Sequence, residues 1–168
     1  MRTFFNILFA LFGVGLIVVA GIGIHNQNAK AAKLTDQMQF DSFEHRFTDA
    51  GFDMAYKLRN AEQDSTVQAY LSDQAAKEYL LETNQVFIDL CDYAREKNLK
   101  EKEPDKFAQA VQMLSFAFNN QAKVIKGMND PLLMNRAINI LKLELQLLDD
   151  LGQGMESDIL QICNELQL

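Results

Sequence analysis

Cysteine, histidine and proline each occur only twice in 168 residues. Two cysteines exclude a disulfide-dense scaffold, and with only two histidines they exclude a Cys/His-rich zinc module. The two prolines, Pro104 and Pro131, stand where helices should begin, a position in which the missing N–H has no partner to lose. Basic residues are outnumbered, 16 Lys and Arg against 23 Asp and Glu, for a net charge of −7. Affinity for a phosphate backbone comes from clustered Lys and Arg, so this balance argues against nucleic acid as a partner. There is no H-E-x-x-H, no C-x-x-C and no glycine-rich phosphate loop. A di-iron bundle needs Glu-x-x-His pairs, whereas the body holds only His45, and its neighbour Glu44 points to a different helix face. No catalytic, metal-binding or cofactor-binding residue is assigned, and the chain is expected not to be an enzyme.

What is present is uneven. The run that opens at Phe4 and closes at Ile24 has 21 residues and no charge; only Asn6 and four glycines interrupt its apolar character. As a helix rising about 1.5 Å per residue it is roughly 32 Å long, the thickness of a bilayer core. Residues 1–24 are therefore read as a transmembrane anchor or signal sequence that meets membrane lipid, and 25–33 as a polar linker. Gly13, Gly15, Gly21 and Gly23 do not form G-x-x-x-G, so they carry no helix-dimer motif. Ala29-Lys30-Ala31 fits the small-x-small pattern before a signal cut, which keeps open a cleaved, secreted or periplasmic form. The retained anchor is favoured, because a secretory apolar region is usually about 7–15 residues. A short basic start, an apolar run and an acidic body place the protein in a bacterial inner membrane, body in the periplasm. Residues 25–168 carry a net charge of −8, since Arg2 is the one basic side chain ahead of them. An acidic body is not drawn to anionic lipid heads, so the anchor must hold it.

Residues 34–168 read as an all-α antiparallel bundle of about four helices plus a short C-terminal helix. The first spans 34–59, with Phe40, Phe43, Phe47, Met54 and Leu58 near one face and Gly51 in the same stripe, where a bend or close helix contact is expected. The second spans 66–97, capped by Asp64-Ser65, and is apolar over a wide arc. Residues 98–103 read as a charged loop. The third starts at Pro104 and places Phe107, Val111, Leu114, Phe118 and Ile125 in one stripe, closing at Lys126-Gly127. The fourth follows Asp130-Pro131, and its eight leucines over 132–151 mark it as the central helix of the bundle. Gly152 and Gly154 break the run before a last helix over 155–166.

Three sets of residues stand out. Glu144 falls among Ala137, Ile140, Leu141, Leu148 and Leu151 on a helical wheel, and Gln121 lies inside the stripe of the third helix. Both are candidates for a buried polar contact, in which burial raises the carboxyl pKa or demands a partner. Cys91 and Cys163 are a candidate disulfide that would tether the last helix to the second. Met155, Ile159, Ile162 and Leu166 form one face of the last helix, which is too short to stand alone and must dock on its own bundle or on another protein. The expected function is that of a non-catalytic accessory or structural subunit of a membrane complex, with protein partners or copies of itself. The alternative is an exported helical binding protein for a small ligand or client, cut near Ala31.

Overall fold

Apolar side chains recur every three or four residues through most of the body, and that spacing gives helices that must each bury a stripe. The computed structural model describes residues 2–61, 68–152 and 157–166, with side chains over 30–59, 72–152 and 160–166. Among the described residues all regular structure is helical: α1 Arg2–Ala61, α2 Gln68–Glu96, α3 Leu99–Lys102, α4 Pro104–Lys126, α5 Pro131–Asp150 and α6 Ser157–Leu166. The expected anchor from Phe4 to Ile24 lies outside the residues with described side chains, as does the expected cap at Asp64-Ser65. Among the described residues no helix is long and apolar enough to cross a membrane.

The chain divides into two units, Met1–Asp41 and Ser42–Leu168, and the division falls inside α1. α1 runs through residues 25–33, the segment expected as a polar linker. Its Ala29-Lys30-Ala31-Ala32-Lys33 segment is built of strong helix formers, and these outweigh the polar residues before them. In the first unit the Thr35 hydroxyl bonds back to the Ala31 carbonyl and Gln37 donates to Asp41, both one turn apart.

In the second unit α1 and α2 run antiparallel in a register that three contacts share. Arg46 pairs with Asp89 at 2.8 Å, Lys57 with Glu78 at 2.8 Å, and the Phe43 and Tyr93 rings stand 5.6 Å apart. Phe43 and Ala50 of α1 are buried, while Phe47, Met54 and Leu58 are half-buried. Lys57–Glu78 is exposed and contributes little, while Arg46–Asp89 is part-buried beside the buried Phe43. The close contact expected at Gly51 is absent: a Cβ built there meets nothing within 4 Å.

The centre of the bundle is shared by α2 and α4 and is not held by the leucine-rich α5 as expected. α4 packs on α2, α3, α5 and α6 and buries eleven side chains, whereas α5 packs on α2 and α4 and buries only Ala137, Leu141, Glu144 and Leu148. The reason is phase. The apolar residues of α4 repeat at helical spacing, but the leucines of α5 are spread around its axis, so Leu132 and Leu143 are left exposed. The expected loop at 98–103 is mostly the one-turn helix α3. Asn98 adopts a left-handed conformation with φ 51° and turns the chain so that Leu99 is fully buried.

Two polar braces fix the ends of α5. At its start, Asp73 of α2 is buried and accepts from the Asn129 and Asp130 backbone amides at 2.8 and 2.9 Å, while Asp130 caps the helix by accepting from Leu132 N and Leu133 N. At its end, the Lys100 ammonium donates to the Gly152 carbonyl at 2.9 Å, and Arg95 lies 3.6 Å from Asp150. Gly152 has φ +68°, a conformation that favours glycine.

Two stability outcomes follow from these contacts. Asp73→Ala removes the acceptor of two part-buried hydrogen bonds from the α4–α5 turn and should lower unfolding free energy by about 1–3 kcal/mol in urea titration. Gly51→Ala should raise it by about 0.5–1 kcal/mol, because the helix gains propensity and the added methyl meets open space. A loss of stability for Gly51→Ala would show that the glycine is needed for a contact.

Candidate functional site

The stripe of α4 that faces the core holds one amide among its apolar side chains, and the core face of α5 holds one acid. The structure places these two together. Gln121 and Glu144 are both 0% exposed, and Gln121 Nε2 donates to Glu144 Oε1 at 3.1 Å. The same amide nitrogen donates to Thr83 Oγ1 of α2 at 2.8 Å, and the Thr83 hydroxyl donates to the Tyr79 carbonyl at 2.7 Å. One polar chain therefore crosses three helices in the middle of the core. Glu144 Oε2 and Gln121 Oε1 are buried with no hydrogen-bond partner.

Burial sets the chemistry of the acid. Removal from water disfavours the carboxylate and pushes the Glu144 pKa up to about 8; the bond from Gln121 offsets only part of this. Around neutral pH the side chain is mostly a neutral carboxylic acid. Tyr79 also has its pKa raised, first by burial and then by the nearby Glu144 charge. Thr83 was not among the residues singled out from the sequence. A signal for it exists: it lies in the stripe of Tyr79, Leu80, Val86, Phe87 and Leu90 at helical spacing, where a hydroxyl needs a partner. Nothing local marks Asp73 or Lys100, whose partners lie more than fifty residues away.

The expected disulfide is not formed: Cys91 and Cys163 are both free thiols. Their elements explain this. α6 packs on α4, and the groove between them is lined by Asn119, Ala122, Lys123, Lys126, Gln161, Ile162 and Glu165. Gln121, in that same stretch of α4, is level with Thr83, and Cys91 lies two turns farther along α2, about 12 Å along the axis. A disulfide requires Cα atoms within about 7 Å. Burial pushes the Cys91 thiol up to about 12, which suits a small apolar core residue rather than a reactive one.

The last helix docks on its own bundle. Ile162 is half-buried and lines the α4–α6 groove, whose volume is about 290 Å³, and Lys126 pairs with Glu165, which also accepts from Gln161. Leu166 is half-buried. Of the face expected to meet a partner, Met155 and Ile159 lie outside the described side chains, and Ile162 lines the α4–α6 groove. Among the described residues no three His, Cys, Asp or Glu side chains converge to hold a metal ion.

No family model, curated protein or solved structure matches the chain.

The Glu144 shift fixes a pH dependence. An unfolded glutamate titrates near 4.5 and the folded one near 8. Between these values the native state holds a proton that the unfolded state has released, so stability is full below about pH 4.5 and falls as pH rises toward 8. Glu144→Leu should remove this slope and leave the variant about 2–4 kcal/mol more stable than the parent at pH 8 in urea titration. Equal slopes in both proteins would assign the pH dependence to other groups. In thiol labelling of the native protein, Cys163 should react at least tenfold faster than the fully buried Cys91.

Proposed function

We propose that this chain is a non-catalytic, membrane-anchored helical protein that serves as an accessory or structural subunit of a membrane-associated complex. The observation that carries this reading is the run from Phe4 to Ile24, which is uncharged over 21 residues and stands ahead of a body with a net charge of −8. Such a run is costly in water and stable in hydrocarbon. The acidic body gains nothing from anionic lipid, so this reading assigns attachment to the apolar run alone. It also puts the body in the periplasm of a bacterial inner membrane.

The bundle itself favours an interaction role. Its central polar residues are spent on one another across α2, α4 and α5, and α5 keeps Leu132 and Leu143 exposed on the side away from its buried stripe. Action is then by packing: the anchor fixes the subunit at the bilayer, and helix faces meet partner proteins or a second copy. Ala29-Lys30-Ala31 favours a second reading, a mature exported protein beginning at Ala32 that holds a ligand or client.

Membrane fractionation of the native host tests the proposal. The intact chain should resist carbonate, dissolve in mild detergent and crosslink to other membrane proteins through its body. Val14→Arg with Leu16→Arg should move it to the soluble fraction, since each arginine costs about 2.5–3.5 kcal/mol near the centre of a span. A mature mass starting at Ala32 would favour the exported form. A lone detergent-solubilised monomer with no crosslinked neighbour would overturn the subunit role.

A further inference from the structure

Gln121 and Glu144 have one hydrogen bond made and one missing. A primary amide and a carboxylic acid are complementary: the amide N–H donates to one acid oxygen, and the acid O–H donates to the amide oxygen. Here the first bond is in place, from Gln121 Nε2 to Glu144 Oε1. The atoms left without partners, Glu144 Oε2 and Gln121 Oε1, are the two that the second bond would join. The remaining hydrogen-bonding capacity of the amide is already committed, because its nitrogen also donates to Thr83 Oγ1, whose own hydroxyl goes to the Tyr79 carbonyl. One proton on Oε2 thus completes the cluster. Its removal leaves a carboxylate oxygen and an amide oxygen both unpaired in a site without water access.

The surroundings make this proton decisive for α5. The helices packed on α5 are α2 and α4. From α2, the titratable groups that sense Glu144 are Tyr79 and Cys91, and burial pushes both upward, so both stay neutral between pH 6 and 9. From α4 comes the uncharged Gln121, and among the described residues no cation pairs with Glu144. The ends of α5 are fastened separately, by Asp73 at its start and by Lys100 and Arg95 at its end. Glu144 lies between these braces. We propose that Glu144 is a proton latch: the protonated acid–amide pair with Gln121 locks the middle of α5 onto α2 and α4, and ionisation frees that segment as pH rises.

Hydrogen exchange of the full chain in mild detergent tests the latch. A carboxyl that titrates near 8 when closed and near 4.5 when open makes opening about a hundredfold easier at pH 9 than at pH 6, after correction for intrinsic exchange. That acceleration should appear over residues 137–148. E144Q supplies an amide donor in place of the acid O–H at every pH and should show less than a threefold change over the same residues. The parent at pH 6 should also give an infrared band of a protonated carboxylic acid that E144Q lacks, a readout that holds even if E144Q folds poorly. Equal pH responses in parent and E144Q, or no Glu144 acid band at pH 6, would overturn the proposal.

Discussion

A carboxyl group with no access to water constrains the rest of this bundle. Glu144 sits at the centre of the core, and its one donor is Gln121, which in turn leans on Thr83. Each partner belongs to a different helix, so the acid can be accommodated in only one mutual register of α2, α4 and α5. A slide of α5 by one turn would set Glu144 against Ala117 and Phe118 or against Ile125 of α4, where no side-chain donor exists. Apolar packing alone tolerates such slides, because one leucine fills the place of another. The polar cluster costs stability through desolvation and in return specifies alignment.

The remaining architecture is arranged around that alignment. α2 and α4 together form the centre: α4 meets α2, α3, α5 and α6, and α2 meets α3, α4 and α5. Polar braces at both ends of α5 act over short distances and on backbone groups, so they position the helix without drawing on its leucines. Within the second unit α1 meets α2 through the part-buried Arg46–Asp89 pair, the exposed Lys57–Glu78 pair and the Phe43–Tyr93 ring contact. Such pairs are screened by salt and contribute about 0–1 kcal/mol each, which makes the α1–α2 seam less firmly specified than the seam between α2, α4 and α5.

Much of this was legible in the residues. The 3.6-residue spacing placed α4 to within a residue, and Asp130 with Pro131 marked the start of α5 through a cap whose chemistry is local. Gln121 and Glu144 stood out because polar side chains inside an apolar stripe break the pattern. Other features left no such mark. Eight leucines suggested a central helix, yet burial depends on their phase and on which neighbours are available. Leu99 looked like one apolar residue in a charged loop until the core supplied a place for it. The link between Cys91 and Cys163 depended on which face of the bundle receives α6, and spacing along the chain carries no information on that.

The sequence by itself determined that the body is helical, where most helices begin and end, and which polar residues would be costly to bury. These follow from interactions within a few residues: periodic burial, caps, and the absence of breakers. Only the tertiary structure decided that Thr83 completes the Gln121–Glu144 cluster, that Asp73 and Lys100 hold opposite ends of α5, and that α2 and α4 share the centre. Those outcomes join residues from about twenty to nearly sixty positions apart, and such contacts are chosen by how the helices rotate and pack together, a property of the assembled core that no single segment contains.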